Sequence, residues 1–215
     1  QASPQGMRQQ FGVVIERLCY ELRGTSCLKL EEVAPAKQQI IASRSFGKLV
    51  TKQEELAQSV ATHAARAAEK LRSQDSVTGA ITVFIQTNPF KQNEPQHHQS
   101  ITISLADPSD NTVTLTNAAL RGLQQIYQSG FRYKKAGVIL NLIADKPTIQ
   151  QSLFEDIESK GKSADLMHAM DAINSRFGNA VIRLAASGTK QEWQMRSNNK
   201  SPNYTTQWDE LPVVR

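Results

Sequence analysis

Apolar residues recur along residues 40–143 with two different periods, and this pattern predicts six elements. Short apolar or alternating runs favour strands, whereas stripes spaced three to four residues apart favour amphipathic helices. The pattern predicts strands over 40–46, 80–87, 100–105 and 137–143, a helix after residue 51 and a helix over 115–128. The order β-α-β-β-α-β predicts an α+β fold, a four-stranded sheet with both helices on one face, and leaves the other face available for binding.

The first predicted helix follows a capping-box pattern, in which Thr51 precedes Glu54 by three residues. Its apolar stripe consists of Leu56, Val60, Ala64, Ala67 and Leu71. Its other face carries His63, Arg66, Lys70 and Arg72. Gly47 is expected to end the strand before this helix, since glycine interrupts regular strands.

Further elements are predicted on both sides of this block. They are a helix over 8–22 with Gly24 as its stop, a second helix over 163–175 and a short strand over 180–185. The segments 25–38 and 148–163 have no sustained apolar period. We interpret the first as a tether between folded parts and the second as an exposed linker.

Composition narrows the class of protein. The 215 residues include 25 Lys and Arg against 20 Asp and Glu, a formal net charge of +5, which suggests a polyanionic partner. No run of about 18 apolar residues occurs, so a membrane-spanning protein is excluded, and no signal segment precedes the block, so we expect a cytoplasmic protein. Cys19 and Cys27 fit neither a disulfide framework nor a C-x-x-C site and are interpreted as reduced structural thiols.

A basic segment over 37–52 is the first candidate binding site, because it contains cations and no acid. A strand here places Ser43 and Ser45 on one face, and hydroxyls are good phosphate partners. Arg44 and Lys48 add charge, and Gly47 allows close approach of a backbone phosphate. The alternative is a strand with a solvated face.

A second candidate lies at residues 131–135, where aromatic rings and cations interleave before the last predicted strand. Arg132, Lys134 and Lys135 would bind phosphates, and Phe131 and Tyr133 would stack on bases. The alternative is a solvated loop with one buried ring.

A third candidate is the peptide from Gln150 to Phe154 in the polar linker. It resembles the short peptide with which bacterial proteins dock on the sliding clamp. Leu153 and Phe154 would fill an apolar pocket, Gln150 would hydrogen-bond at its rim, and Ser152 would lie between them. The alternative is a chance match in a linker.

No metal-ligating or catalytic constellation is predicted in the chain. The adjacent His97 and His98 would point to opposite sides of a strand, without acid or cysteine ligands at suitable spacing. Phosphate-loop, nucleophile-elbow and zinc-protease motifs do not occur.

Several blocks, in the same order, closely resemble the UmuC-type Y-family translesion polymerases, the catalytic subunits of bacterial error-prone DNA polymerase V. The blocks are Cys27–Val33, Ser43–Gly47, Ala64–Arg72, Phe131–Val138, Glu192–Met195 and Ser201–Trp208, and the resemblance runs from about residue 8 to 212.

The resemblance implies a domain organisation. Residues 1–24 would be the end of the thumb helix, 25–38 the linker, 39–146 the little finger resting on the template–primer backbone, and 147–215 a small α/β C-terminal extension with the clamp-binding peptide. Gln151 stands where the family's peptide usually has Leu.

The resemblance also implies a role in SOS DNA repair and mutagenesis. The catalytic palm with its Mg²⁺ ions would lie before residue 1, so no cofactor and no polymerase activity are expected of this chain alone. Implied partners are DNA, the sliding clamp, a processed UmuD-type dimer and a RecA filament, with no membrane. The alternative is a standalone, non-catalytic nucleic-acid-binding or regulatory protein from a truncated polymerase gene.

Overall fold

The computed structural model describes residues 3–28, 37–91, 93–146, 157–178, 180–195 and 200–211. The chain divides into two compact units, residues 1–36 and 37–215. Across the described residues, no helix combines the length and apolar character needed to cross a membrane.

The first unit contains two helices, α1 (Pro4–Phe11) and α2 (Val13–Glu21). Gly12 separates them with a φ of 87°, a left-handed conformation that glycine adopts without steric cost. The predicted helix over 8–22 is therefore interrupted at Gly12. A turn through Gly24 follows α2, close to the predicted stop.

The second unit is built on a four-stranded antiparallel sheet with strand order β1-β4-β2-β3. The strands are β1 (Ile40–Val50), β2 (Ser76–Thr87), β3 (His98–Ser109) and β4 (Tyr133–Asp145). Helix α3 (Gln53–Arg72) connects β1 to β2, and α4 (Thr112–Ile126) connects β3 to β4. Each helix therefore joins two parallel strands with a third strand between them, which confirms the predicted α+β fold.

The hydrophobic core lies between the sheet and the two helices. All five residues of the predicted α3 stripe are fully buried, as are Phe46, Ile81, Val83 and Leu140 from the strands. Leu115, Ala119 and Leu123 of α4 complete this layer. Because the strands bury alternate residues on this face, the side chains between them point to the opposite face.

Strand β1 continues past Gly47, where the sequence predicts its end. The pairing with β4 shifts between Ser45 and Val50, which is a bulge. The Nζ of Lys134 donates to the carbonyl of Phe46 at 2.7 Å, and the amide of Gly47 donates to the carbonyl of Trp193 at 3.0 Å. These partners replace ladder bonds and allow the strand to continue.

The predicted capping box at the start of α3 is wrong. The residue before this helix is Lys52, and no side chain caps it. A true cap occurs at α4, where Asn111 Oδ1 accepts from the amides of Val113 and Thr114 at 2.7 and 3.1 Å.

The C-terminal residues pack against α3. Helix α5 (Ile157–Phe177) extends beyond its predicted bounds on both sides. Arg72 donates through Nε and Nη2 to the Asp171 carboxylate at 2.6 and 2.7 Å. Trp193 is buried with its ring centroid 6.0 Å from that of Phe46 and 6.1 Å from that of His63.

The short strand predicted over 180–185 is also wrong, because the described residues there form bends and a 3₁₀ helix at Ala185–Ser187. Asn174 exchanges two hydrogen bonds with the backbone of Ile182, at 2.9 and 3.0 Å. These side-chain bonds satisfy the Ile182 backbone groups that a strand partner would otherwise pair.

Candidate nucleic-acid interface

The face of the sheet opposite the helices, here called the open face, presents side chains in cross-strand rows. Antiparallel register places residues of the four strands side by side in each row. The rows are Ser45–Lys135–Gln86–His98, Ser43–Gly137–Phe84–Ser100, Ile41–Ile139–Thr82–Thr102 and, with no β1 member, Asn141–Ala80–Ser104. None of these side chains is acidic and Lys135 is cationic, so the open face has a positive bias.

Hydrogen bonds fix the polar side chains at one end of the open face. Thr82 and Thr102 share a hydrogen bond between their Oγ1 atoms at 2.7 Å, and Asn141 Nδ2 donates to Thr82 Oγ1 at 2.8 Å. Gln39 donates to Asn141 Oδ1 at 2.7 Å. The network restrains these side chains across three strands of the sheet.

Gly137 makes room for the ring of Phe84 in the centre of the open face. A Cβ at Gly137 would lie 2.6 Å from Phe84 Cζ and 2.3 Å from Ser43 Cβ, so only glycine fits without displacement. The Nζ of Lys135 lies 5.7 Å from the centroid of the Phe84 ring, a cation–π distance. A cation is thereby placed over a flat surface that a DNA backbone could approach.

Ser43, Ser45 and Lys135, three of the predicted DNA-binding residues, meet on this face. Sequence reasoning did not single out Phe84 or Gly137. The sequence did contain this information. Ile81, Val83 and Ile85 alternate along the strand and point into the core, so Phe84 must point to the opposite face.

Gly47 and Lys48 instead contact the C-terminal residues. The amide of Gly47 is bonded to Trp193, and Lys48 Nζ contacts Glu192 at 2.7 Å and Glu55 at 3.4 Å. The hydrogen bond between Lys48 and Glu192 raises the pKa of the Lys48 ammonium and lowers the pKa of the Glu192 carboxyl. These two positions therefore have intramolecular partners.

Lys134 and Arg132 also have intramolecular partners. Lys134 is bonded to Phe46, and Arg132 Nη1 lies 3.6 Å from Glu94. Arg132 is more than half exposed, so its ion pair with Glu94 is a weak surface contact.

The aromatic rings near residue 131 pack against one another. Tyr133 is fully buried, its hydroxyl donates to the Gln128 carbonyl at 2.9 Å, and it lies 3.2 Å from His97 Nδ1. The ring centroids of Phe131 and His97 are 4.8 Å apart. Burial raises the pKa of Tyr133, and its ring is inaccessible to a base.

Arg44 lies on the other side of the sheet from Ser43 and Ser45, beside α3. The buried His63 has its pKa lowered to about 4, first by burial and then by the charges of Arg66 and Arg44. The two guanidinium groups are therefore neighbours of the same imidazole.

The predicted clamp-binding residues Gln150, Ser152, Leu153 and Phe154 lie outside the described residues. Within the described part of the chain, no three His, Cys, Asp or Glu side chains are grouped as metal ligands.

Two family matches cover most of the chain. Residues 37–153 match the impB/mucB/samB family C-terminal domain. Residues 164–214 match a "Domain of unknown function (DUF4113)".

Relatives of known name match along almost the whole chain. Protein UmuC of Salmonella typhimurium is 42% identical over 209 residues, 97% of this chain and 50% of that protein. Protein SamB of Salmonella typhimurium is 41% identical over 214 residues, 100% of this chain and 50% of that protein. Protein MucB of Escherichia coli is 39% identical over 208 residues, 97% and 49% respectively. The chain thus spans about half the length of these curated relatives.

Proposed function

Because the chain belongs to the impB/mucB/samB family and corresponds to the C-terminal region of UmuC-type Y-family polymerases, we propose that it binds the DNA on which such a polymerase works. In this proposal the sheet of residues 37–146 contacts the template–primer backbone, and the residues beyond it tether the polymerase to the sliding clamp.

The open face is the observation that carries the DNA-binding proposal. Ser43 and Ser45 offer hydroxyl donors on adjacent rows, and Lys135 supplies a positive charge beside them. Hydroxyls and ammonium groups bind phosphate oxygens without reading bases. A translesion polymerase needs this property, since it must bind DNA of any sequence and with damaged bases.

The remaining parts of the proposal rest on the family. We expect clamp binding through Gln150, Ser152, Leu153 and Phe154, together with a processed UmuD-type dimer and a RecA filament as further partners in SOS mutagenesis. Mg²⁺ and nucleotide chemistry belong to the palm of the whole polymerase in this proposal. Because the bacterial chromosome lies in the cytoplasm, we expect the protein to be located there.

The DNA-binding proposal is tested by the salt dependence of binding to a blunt duplex, measured by fluorescence anisotropy. Replacing Lys135 with Gln should lower the slope of log affinity against log salt by about 0.9, the value for one lost phosphate contact. The loss should be equal for duplexes of unrelated sequence.

Lys70→Gln is the matched control, because Lys70 is exposed on α3, on the helix side of the sheet. The control should retain the slope of the unmodified chain. An unchanged slope in the Lys135 variant, or binding that differs strongly between sequences, would contradict the proposal.

A further inference from the structure

A small cleft lies beside the edge strand β1, outside the open face. Its volume is about 210 Å³, and its lining includes Arg44, Ser45, Arg66, Trp193, Gln194 and Lys200. We call it the edge cleft. Its residues come from β1, α3 and the C-terminal segment, so it exists only where the three meet.

The edge cleft contains three cations and no acid. Among the described residues, Arg44, Arg66 and Lys200 have no carboxylate within ion-pair distance. The nearest acid along the C-terminal segment, Glu192, is paired with Lys48. Glu69, one turn along α3 from Arg66, forms no ion pair with it either. The positive charge of the cleft is therefore uncompensated by the described chain.

The buried His63, next to the cleft, also indicates that the positive charge of Arg44 and Arg66 is not compensated. Arg44 and Arg66 both act against protonation of this imidazole, which stays neutral at physiological pH. The neutral His63 ring, which packs beside Trp193, adds no further cation next to the cleft, and the two guanidinium groups are available to an external anion. Guanidinium groups bind phosphates through two parallel hydrogen bonds.

Ser45 connects the edge cleft to the open face. It lines the cleft, and it also stands beside Lys135 in the first row of the open face. A strand of DNA that follows this row past β1 therefore arrives at Arg44. We propose that the edge cleft binds a backbone phosphate of single-stranded DNA leaving the open face, an inference that rests on the proposed function.

Size and accessibility select this ligand over a base or a duplex. The cleft is smaller than the roughly 300 Å³ at which pockets for drug-sized ligands begin, so it suits a phosphate group better than a nucleotide. Trp193 is only 3% exposed and offers no stacking surface. Duplex DNA has a persistence length of about 150 base pairs and does not bend sharply around one strand, whereas a single strand does.

The experiment compares three DNA probes by anisotropy over a salt series: a blunt duplex, and the same duplex with a 5′ or a 3′ single-stranded extension. The chain is tested unmodified, with Arg44→Gln and Arg66→Gln combined, and with Lys135→Gln. Arg121→Gln is the matched control, since Arg121 is exposed on α4 and does not line the cleft. Thermal unfolding of each variant establishes that it is folded.

One of the two extensions should steepen the salt slope of the unmodified chain by about 0.7, the value for one phosphate contact on a single strand. The combined Arg44 and Arg66 variant should lose this increase and bind the blunt duplex as before. Lys135→Gln should weaken duplex binding and keep the increase, and Arg121→Gln should change neither.

Three results would overturn the inference. They are an extension effect that survives in the combined variant, an equal loss with the blunt duplex, and binding of a poly-glutamate peptide that needs Arg44 and Arg66 while neither extension has an effect. The last result would assign the cleft to an acidic protein segment. If the Lys135 variant behaves as the unmodified chain while the combined variant loses the extension effect, the open-face proposal fails and the cleft remains supported.

Discussion

At the scale of single residues, Gly137 determines the flatness of the open face. Replacing it with Ala would drive a methyl group into Ser43 and Phe84 at 2.3 and 2.6 Å. We expect a loss of about 1–3 kcal/mol in the free energy of unfolding, the usual cost of overpacking. Urea denaturation measures this loss, and the displaced Phe84 ring should also weaken binding of DNA.

Gly161→Ala is the control for this substitution. Gly161 lies in α5, and nothing approaches the position of its Cβ within 4 Å. Alanine should there stabilise the protein by about 0.5–1 kcal/mol, because it favours the helix. Equal effects of the two substitutions would show that the space above Gly137 is not restricted.

His63 predicts a pH dependence of stability. Its pKa is about 4 in the folded chain and about 6.5 in an unfolded one, so only the unfolded state gains a proton between these values. Stability contributed by the neutral imidazole is complete above pH 6.5 and is lost as the pH falls towards 4. The loss amounts to about 3 kcal/mol across this window.

The measurement is the free energy of unfolding at several pH values between 7 and 4. His63→Leu should flatten the curve, and leucine suits the site because no described group bonds to His63 Nε2. His98→Gln is the control, since His98 is exposed on β3. A curve that is equally steep in the His63 variant would refute the assignment.

Alternation along a strand was sufficient to predict part of the open face. Ser43 and Ser45 fall on one face of a strand whatever surrounds it, and the structure has them there. The same rule places Arg44 on the other face, but the Ser-Arg-Ser pattern does not show that Arg66 lies beside it. Glu192, the closer partner of Lys48, and Phe46, the partner of Lys134, come from distant parts of the chain, so no local pattern could predict them.

At the scale of elements, the pair between Arg72 and Asp171 joins α5 to α3. The side chain of Arg72 is 5% exposed and also donates through Nη1 to the Asp110 carbonyl and to Thr112 Oγ1, at 2.7 and 2.9 Å. Asp171→Asn would leave a buried guanidinium without a counter-charge. We expect a loss of about 2–3 kcal/mol, at the low end because Asp171 is partly exposed.

Proteolysis of α5 and urea denaturation report this loss separately for the helix and for the whole unit. Asp165→Asn is the matched control, because Asp165 is exposed on the same helix and forms no ion pair with the described residues. Comparable stability of the two variants would show that the pair is dispensable for docking α5.

The sheet elements were predictable because the strands and helices bury regular stripes, whereas their ends were not. Gly47 was expected to stop β1, yet bonds from Lys134 and Trp193 carry the strand through it. The apolar run over 180–185 resembles a strand, but the side chain of Asn174 bonds to the backbone of Ile182. In both cases a partner outside the segment decides its local conformation.

At the scale of the whole molecule, we expect binding to a bacterial sliding clamp to depend on the peptide and not on the sheet. Replacing Leu153 and Phe154 with Ala removes two apolar anchors, each worth roughly 1–3 kcal/mol of burial. Clamp binding should become undetectable in a titration, because such peptides start from modest affinity. Duplex binding should remain unchanged.

Leu166→Ala combined with Phe177→Ala is the control, since both side chains are exposed on α5. It removes the same types of side chain and should leave clamp binding intact. Equal affinities of all three proteins would refute the peptide assignment. Loss of duplex binding in the Leu153 and Phe154 variant would make the peptide part of the DNA-binding fold.

The position of β4 in the sheet also determines the order in which the strands can pair while the chain is being synthesised. Strand β4 lies between β1 and β2, yet it is the last strand to leave the ribosome. The β2–β3 hairpin can pair early, whereas Ile40 must wait for Leu140. Such distant pairing slows folding. A nascent chain that ends before Tyr133 would therefore lack one of the two central strands, and β1 would remain unpaired beside α3.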